Sequence, residues 1–359
     1  MLCRGVLIRK KWGADMRIVQ VLHSHGFGGA ENHALLLMQG LQERGHDVVF
    51  AGPRNSWLAD QCLAHGIEIF HLRMAGMFDF WSHFRLHRFV QRWKADIVHG
   101  HLLRGAKYAA AAAGKAIPIC TAHATTARKH MGGCRHIIAV SDAVRDNLLS
   151  AGYSQEKISL IYNGVTDVKL VVRAEIRKAL GIPDDVIALF NAGRFIRDKG
   201  QDLLVSAVLR IPGVHLFLAG DETTSFGKEV QAQADGDERI TFLGYRPDVQ
   251  RLLPAFDIYV SASRRESFGL SLIEAYAAKI PVLATSVGGV PEVVYDNETG
   301  LLVPPEDVEA LSSAIVRLVD DKVLRERLGQ QARCKFLENF TAAGMVANIE
   351  SLYHRLLLG

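Results

Sequence analysis

Two glutamates in the second half of the sequence lie where a loop leads into a helix. Glu266 follows an apolar run that ends near Ser261, and Glu274 lies one turn into the helix that opens near Gly269. The free backbone N–H groups and the positive dipole end of such a helix favour a phosphate. Two carboxylates placed in this way can hold the hydroxyls of two sugars, one on each side of a diphosphate. Taken alone, the same pair is typical of a capped helix with two solvated glutamates.

Short apolar runs alternate with helical periods through the chain, twice over. This pattern predicts an α/β protein with two Rossmann-like, doubly wound parallel-sheet domains. In the first half the predicted strands are 18–22, 47–51, 67–72, 96–99, 117–121 and 137–140. In the second half they are 186–192, 215–219, 240–242, 258–261 and 282–284, before a helical tail over 308–358. Two such domains in tandem leave a cleft at the carboxyl ends of their strands, where ligands bind.

Turn residues over 163–167 separate the two halves. The predicted units are an N-terminal domain (16–166), a linker (167–185), a C-terminal domain (186–340) and a last helix (341–359). Residues 1–15 are basic, and their apolar part is too short for a signal peptide, so we interpret them as a disordered extension.

Composition limits the class of protein. The 359 residues are 49% apolar and 22% charged, which excludes a disordered, collagen-like or disulfide-stapled chain. No apolar stretch reaches the roughly 18 residues that span a bilayer. The five cysteines form no CxxC pair and fit a reducing cytoplasm. Residues 1–168 carry 20 Lys and Arg against 12 Asp and Glu, while the remainder carries 22 against 26, so the basic first half suits an anionic partner.

Seven motifs in a fixed order cover nearly the whole chain from Met16 onward. They are Gly28-Gly29-Ala30-Glu31, Gly45-His46-Asp47-Val48, Asn163-Gly164-Val165, Gly193-Arg194 with Lys199-Gly200, Phe242-Leu243-Gly244, the segment from Glu266 to Glu274, and Gly288-Gly289-Val290-Pro291-Glu292. Each motif is weak alone, but the ordered series resembles the retaining GT-B glycosyltransferases of family 4. The resemblance implies a nucleoside-diphosphate sugar donor held mainly by the second domain and an acceptor on the first. It also implies that the last helix crosses back to the first domain.

The resemblance assigns roles to individual side chains. Arg194 and Lys199 are expected to clamp the donor diphosphate, since the family uses no obligatory metal and the leaving nucleotide gains negative charge. Glu274 is expected to bind the ribose hydroxyls, and Glu266 the hydroxyls of the transferred sugar. His123 matches the histidine of the family's cleft, which contacts the sugar near the reacting centre. A structural role fits the position of His123 equally well.

Backbone groups complete the implied binding site, at Gly28, Gly29, Gly244, Phe268, Gly269 and Leu270. The last three would approach the sugar or phosphate through their N–H groups, and the loop around Gly244 would contact the base. Gly28 and Gly29 permit close approach of a phosphate or acceptor, as they would in a simple tight turn. Ser141, after the last strand predicted in this half, is expected to cap a helix.

Three other patterns compete with this interpretation. Asp235-Gly236-Asp237 is a DxD, but it ends a polar helix and is better explained as a solvated turn. The Gly26-x-Gly-Gly loop lacks the third glycine of a dinucleotide site. Potential zinc ligands crowd together at Cys120, His123, His130, Cys134 and His136, with a spacing that fits no familiar structural site. We therefore expect no metal site and no cofactor beyond the nucleotide sugar as co-substrate.

Arg85, Arg88 and Arg92 share one face of a helix predicted over 81–94. Aromatic residues are interleaved around them, at Phe80, Trp81, Phe84, Phe89 and Trp93. A basic face flanked by aromatics suits docking to an anionic membrane surface. An ordinary crossover helix, which packs its aromatic residues on the sheet and exposes its arginines to solvent, explains the same pattern equally well. Docking would place the protein on the inner face of the plasma membrane and imply a lipid-linked acceptor.

The sequence thus predicts a cytoplasmic, metal-independent, retaining hexosyltransferase with UDP favoured in the donor and no nucleic-acid partner. Its saccharide or lipid-linked acceptor would belong to cell-envelope glycan or lipopolysaccharide biosynthesis. Two alternatives stay open. One is a sugar-nucleotide epimerase on the same fold, for which only His123 and Glu266 offer acid/base groups. The other is a non-catalytic nucleotide-sugar-binding subunit.

Overall fold

The computed structural model describes residues 15–125, 131–168 and 172–359. The predicted N-terminal extension, apart from Asp15, lies outside the described residues, and so does His130 of the cysteine–histidine cluster.

The first domain is built on seven parallel strands within the described residues. They are β1 (Arg17–Val21), β2 (Asp47–Gly52), β3 (Glu68–His71), β4 (Ile97–His101), β5 (Ile117–Ala122), β6 (His136–Ala139) and β7 (Ile158–Leu160). Its helices are α1 (Gly29–Glu43), α2 (Trp57–Ala64), α3 (Phe80–Trp93), α4 (Leu102–Ala112) and α5 (Asp142–Ser150). The strand order is β3-β2-β1-β4-β5-β6-β7. Central strands such as β1 are buried apolar runs because helices cover both faces of a parallel sheet.

The second domain repeats this plan with six described strands. They are β8 (Ile187–Ala192), β9 (Val214–Ala219), β10 (Ile240–Phe242), β11 (Ile258–Ser261), β12 (Val282–Thr285) and β13 (Gly300–Val303). Its helices are α6 (Arg173–Leu180), α7 (Gln201–Val208), α8 (Ser225–Ala234), α9 (Val249–Leu252), α10 (Leu270–Ala277), α11 (Val290–Val293), α12 (Val308–Asp320) and α13 (Lys322–Asn339). The strand order is β10-β9-β8-β11-β12-β13. The prediction of two doubly wound parallel sheets is therefore confirmed.

Both sheets reverse their winding direction once, between β1 and β4 in the first and between β8 and β11 in the second. A crevice forms outside the carboxyl ends of the strands at such a point, and ligands of doubly wound sheets bind there. Gly28, Arg194 and Glu266 lie in the loops that follow β1, β8 and β11, and His101 is the last residue of β4. The topology thus places the predicted donor residues at the crevice of the second sheet and the glycine loop at that of the first.

The helical tail divides into α12, α13 and a last helix, α14 (Ala342–Leu358), at side-chain caps. Asp321 accepts a hydrogen bond from the Leu324 N–H, and Thr341 accepts one from the Gly344 N–H. α14 packs on α1, and its residues Met345, Ile349 and Leu352 join the apolar core under the first sheet. None of the helices in the described part of the chain is both long enough and apolar enough to cross a bilayer.

The chain crosses between the domains at two places that contact each other. Val165 donates a backbone hydrogen bond to Phe340 and accepts one from Ala342, at 3.0 and 2.9 Å. Gly164 lies so close that an added Cβ would be 2.4 Å from the Thr341 carbonyl oxygen. This contact fits the turn residues seen at 163–167. Beyond it, α6 forms inside the segment that the sequence predicts to be a linker.

Candidate functional site

Close backbone packing fixes the loop that carries Glu266. Gly269 caps α10 with φ of 98°, a conformation that favours glycine. An added Cβ at Gly288 would lie 1.8 Å from the Glu266 carbonyl oxygen, and one at Gly289 would lie 2.4 Å from that of Ser267. The glycines of the Gly288-Gly289 motif therefore let the loop after β12 support the loop after β11. Glu266 is held at the N-terminus of α10, as the sequence predicts.

Lys199 forms an ion pair with Glu266. It ends a short 3₁₀ turn over Arg197–Lys199, and Gly200 follows with φ of 66°. A Cβ at Gly200 would lie 1.9 Å from the carbonyl oxygen of Ala262, so this turn is packed directly on the end of β11. The ammonium group is therefore held beside the start of α10. There it adds a full positive charge to the helix dipole.

Arg194 lies on the same β8–α7 loop but is exposed. Its carbonyl oxygen accepts a 3.0 Å hydrogen bond from the Gln201 side chain, while Gly193 donates to Ala219 at 2.9 Å. These bonds fix the backbone, while the exposed guanidinium has no hydrogen-bond partner among the described residues. The two predicted cations thus differ, since one is already paired and the other extends into solvent.

Glu274 lies on α10, where its carboxyl group contacts Gln250 of α9. The Gln250 side-chain amide donates to Oε1 at 3.0 Å, and burial raises the pKa of Glu274 to about 7. Gln250 also accepts from the Thr166 hydroxyl at 3.3 Å. Sequence reasoning missed Gln250, because nothing in its position before α10 marks it as a partner of Glu274.

Glycine loops follow the neighbouring strands β8, β9 and β10. The Gly220 N–H donates to the Gly244 carbonyl oxygen at 2.9 Å, and Gly244 adopts φ of 68°. A Cβ at Gly244 would come within 3.9 Å of the Glu222 carboxylate. The loop predicted to contact the base is therefore at the same edge of the sheet as Arg194.

The glycine loop of the first domain meets α10 directly. An added Cβ at Gly29 would lie 2.6 Å from the Cδ1 atom of Leu270, and one at Gly28 would lie 2.9 Å from the Glu31 carboxylate. Phe268 is buried and stacks on Tyr162 of the first domain, with ring centroids 5.6 Å apart. The residues predicted on the two sides of the cleft are brought together here.

A second interdomain contact uses Glu292, from the Gly288 to Glu292 motif. Its two carboxylate oxygens accept hydrogen bonds from the backbone N–H groups of Asp142 and Ala143, at 2.5 and 2.8 Å. Ser141 accepts one from Val144, which confirms it as the N-cap of α5. The second domain therefore holds the positive end of a first-domain helix by a charge-assisted contact.

His123 lies beside two histidines that sequence reasoning missed. The Nδ1 atom of His101 is 3.2 Å from Nε2 of His123, and the ring centroids of His33 and His123 are 4.8 Å apart. Burial lowers the pKa of His33 to about 4 and holds the pKa values of His101 and His123 well below the usual range. All three imidazoles are therefore neutral near pH 7. His33 lies one turn after Gly29 on α1, so the cluster is directly behind the glycine loop.

The cysteine–histidine cluster does not converge among the described residues. Cys120 and Cys134 are buried next to each other, and burial raises the pKa of Cys120 well above its usual value. The His136 ring is bonded to Ser159 at 2.9 Å. The DxD also behaves as a solvated turn, because Asp235 ends α8 in the left-handed conformation and Asp237 pairs with Arg239.

The aromatic residues around α3 separate into two groups. Phe89 stacks on Phe70 with centroids 4.1 Å apart, as expected for a crossover helix on its sheet. By contrast, 71% of Phe80 and 72% of Trp81 are exposed, and Phe78 and Phe84 are also exposed. Arg85, Arg88 and Arg92 are all exposed. The crossover-helix interpretation describes Phe89, and docking to a membrane stays a prediction.

Known proteins match this chain over most of its length. The model of Glycosyltransferase Family 4 matches residues 27–169, and that of Glycosyl transferases group 1 matches residues 172–335. The lipopolysaccharide core biosynthesis glycosyltransferase LpsE of Rhizobium meliloti is 26% identical over 328 residues, which are 90% of this chain and 95% of LpsE.

Two solved structures share the fold. A glycosyltransferase from Rickettsia africae has a TM-score of 0.86 at 23% identity, covering 96% of this chain and 99% of its own. HepE of Anabaena, in complex with UDP and glucose, has a TM-score of 0.85 at 21% identity. The match covers 95% of this chain and 100% of the HepE chain. With the two family models on its two domains and this fold, the chain belongs to the GT-B glycosyltransferases of family 4.

Proposed function

We propose that this glycosyltransferase moves a hexose from a nucleoside-diphosphate donor, UDP-sugar in the first instance, to a saccharide or lipid-linked acceptor, with retention of configuration. We further propose that it works in the cytoplasm on cell-envelope glycan or lipopolysaccharide. The observation that carries the proposal is the Lys199–Glu266 ion pair at the start of α10, the helix whose first residue, Leu270, contacts Gly29 of the other domain. The name of LpsE supports the biosynthetic role, and the UDP and glucose bound to HepE support the donor.

Glu266 and Lys199 would bind different parts of the donor. Without a donor, Glu266 holds the ammonium group where the helix dipole also favours a phosphate. When the diphosphate binds, Lys199 gains a second anionic partner, and the carboxylate can accept hydrogen bonds from the sugar hydroxyls. Arg194 would swing in from solvent to the same diphosphate. Two cations would thereby stabilise the leaving group without a metal ion.

The chemical step would be a front-face displacement. The bond from the anomeric carbon to the phosphate oxygen breaks, the acceptor oxygen bonds to the same face, and the departing phosphate takes the acceptor proton. His123 would contact the sugar as a neutral imidazole. Closure of Gly29 over Leu270 would exclude water and so suppress hydrolysis of the donor.

Calorimetric titration with UDP, GDP and ADP in chelator tests the donor site. We expect one nucleotide, UDP, to bind, and Glu274→Ala to weaken that binding at least about tenfold, since a hydrogen bond to a charged group contributes about 1.5–3 kcal/mol. Glu309→Ala, an exposed glutamate on α12, is the matched control and keeps full affinity. If none of the three nucleotides binds, the proposal fails in favour of a non-catalytic subunit. Product analysis with a UDP-sugar separates transfer from epimerisation.

The affinity for UDP-glucose is expected to depend on pH through Glu274. Because burial raises its pKa to about 7, the carboxyl is mostly protonated at pH 6 and mostly ionised at pH 8. The ionised form is the better acceptor for ribose hydroxyls, so affinity should rise about tenfold over this interval, the change expected for a group that titrates at its centre. The same titrations with Glu274→Gln should show no rise. A wild-type profile that stays flat would contradict the assigned role.

Membrane association forms part of this proposal, and the exposed Phe80 and Trp81 beside Arg85 and Arg88 support it. We expect the protein to sediment with vesicles that contain phosphatidylglycerol and not with neutral vesicles. Trp81→Ser combined with Phe80→Ser should abolish this binding, whereas Val323→Ser, an exposed apolar residue on α13, should not. Equal sedimentation of the two variants would remove the membrane from the proposal.

A further inference from the structure

Three imidazoles from separate elements converge behind the glycine loop of the first domain. His33 lies on α1, His101 ends β4, and His123 follows β5. One ring nitrogen of each lies within 4.8 Å of those of the other two. We call these three residues the histidine cluster.

Two amide side chains determine which nitrogens of the cluster carry lone pairs. Nδ1 of His33 is 2.8 Å from the Asn163 carbonyl oxygen, and Nε2 of His101 is 2.8 Å from that of Gln20. The Gln20 amide nitrogen donates to the Tyr353 hydroxyl at 3.2 Å, which leaves its oxygen for His101. His33 and His101 therefore each donate to an amide oxygen and present a nitrogen without a proton on the other side of the ring.

One of these nitrogens has no partner. Nε2 of His33 has no hydrogen-bond partner among the described residues. It is also shielded from solvent, because His33 is only 1% exposed. A buried polar atom left in this way costs stability unless something binds it. The Nδ1 atom of His101 faces His123, whose ring is partly exposed and gives access from the cleft.

We propose that the histidine cluster binds a transition-metal ion of the Zn²⁺ class, with the cleft supplying its fourth position. Zinc–imidazole bonds of about 2.0–2.1 Å place two nitrogens of a tetrahedral site about 3.3 Å apart. The separation between His101 and His123 is 3.2 Å. The ligand nitrogens all lie within 4.8 Å of one another, so a shift of His33 by roughly 1–2 Å joins it to them. Asn163 and Gln20 then act as the partners that orient metal-bound imidazoles.

A metal ion bound to the histidine cluster would use the His123 side chain, which could then no longer contact the donor sugar. The metal ion and the donor would therefore compete for binding. This competition rests on the proposed function, whereas metal binding does not. The ion would therefore act as an inhibitor rather than as a participant in transfer, which stays metal-independent.

A second group, His46, Glu350 and His354, also lies within 4.8 Å and provides an internal control. Its carboxylate already bonds to His46 and to Arg44, both at 2.9 Å. The Nδ1 atom of His46 already accepts from the Met16 N–H at 3.2 Å. Of the buried side-chain nitrogen and oxygen atoms of this group, only Nε2 of His354 lacks a partner among the described residues. Because His46 and Glu350 are already committed to other partners, we expect this group to stay empty.

The test titrates the full chain, freed of metal by chelation, with Co²⁺ alone and follows the visible absorption of tetrahedral cobalt. We expect one equivalent to bind and Zn²⁺ to displace it. His33→Gln should lower the affinity at least about 100-fold, and Asn163→Leu by about 10–100-fold. His354→Gln should leave it unchanged, and circular dichroism verifies that each variant is folded. The proposed metal site is wrong if Co²⁺ gives no tetrahedral spectrum with the wild-type chain. It is also wrong if the spectrum is lost in His354→Gln but kept in His33→Gln.

Adding UDP-glucose tests the competition separately. We expect it to weaken Co²⁺ binding at least tenfold in the wild-type chain. If Co²⁺ binds with the expected mutational pattern but UDP-glucose has no effect, the shared use of His123 is wrong while the metal site stands. If UDP itself fails to bind in the calorimetric titration, the proposed donor site fails, whatever the result with cobalt.

Discussion

Replacing Lys199 with methionine is expected to lower kcat by about 10³-fold, the loss typical of removing one preorganised group that stabilises developing negative charge. The variant loses the cation that the structure holds beside the α10 N-terminus and leaves Glu266 without its ion-pair partner. Initial rates of nucleotide release from UDP-glucose with acceptor measure the effect. Methionine keeps the length and apolar stem of the side chain, so the loss reports on the charge.

Arg197 provides the matched control for this prediction. It lies two residues earlier on the same 3₁₀ turn but points away, with an exposed guanidinium that pairs with Glu229 at 2.7 Å. Arg197→Met should keep kcat within about twofold, because exposed ion pairs contribute little. If Lys199→Met also stays within tenfold of wild type, Lys199 does not clamp the diphosphate.

Replacing Arg177 with methionine is expected to lower the free energy of unfolding by about 3–5 kcal/mol, the cost of breaking a buried ionic network by removing one partner. Only 4% of this side chain is exposed. It donates to the carbonyl oxygens of Ala255, Pro183 and Val186 and pairs with Asp257 at 3.3 Å. Its loss removes a charged donor from all three carbonyl oxygens, whereas Asp257 keeps its pairing with Arg173 and its bond from the Ala188 N–H.

Urea denaturation, followed by circular dichroism, measures this change in stability. Lys178→Met is the control, because Lys178 is the next residue on α6 and is exposed; it should shift stability by less than about 0.5 kcal/mol. A small effect for Arg177→Met would mean that α6 contributes little to the second domain. The nucleotide affinity of the folded variant should be unchanged, since Arg177 is not part of the donor site.

Strands with continuous apolar runs were the most predictable elements. The bounds of β10 and β11 match the prediction, and most others differ by one or two residues. α4 was missed because its alanine run was interpreted only as a short apolar stretch, although Arg104 and Lys107 give the helix a polar side. β7 and β13 were missed. Each lies at the edge of its sheet and is a strand through its pairing with one neighbour, β6 or β12.

The site was predictable wherever its chemistry lies on one loop. Glu266 and Lys199 each follow a strand end, and their family motifs mark them. The links between distant segments were not predictable. His33 and Asn163 are 130 residues apart and meet only because α1 packs beside the interdomain crossing. Glu292 belonged to a recognised motif, but its contact with the start of α5 depends on how the domains close together.

α14 completes the first domain from the far end of the chain, and this affects how the protein is made. A ribosome produces the first sheet early, whereas Met345, Ile349 and Leu352, which cover the core beneath it, follow only after the whole second domain. During synthesis the face of α1 that receives them stays bare, which makes the nascent chain a substrate for chaperones that hold apolar surfaces. The first domain thus begins to fold first and finishes last.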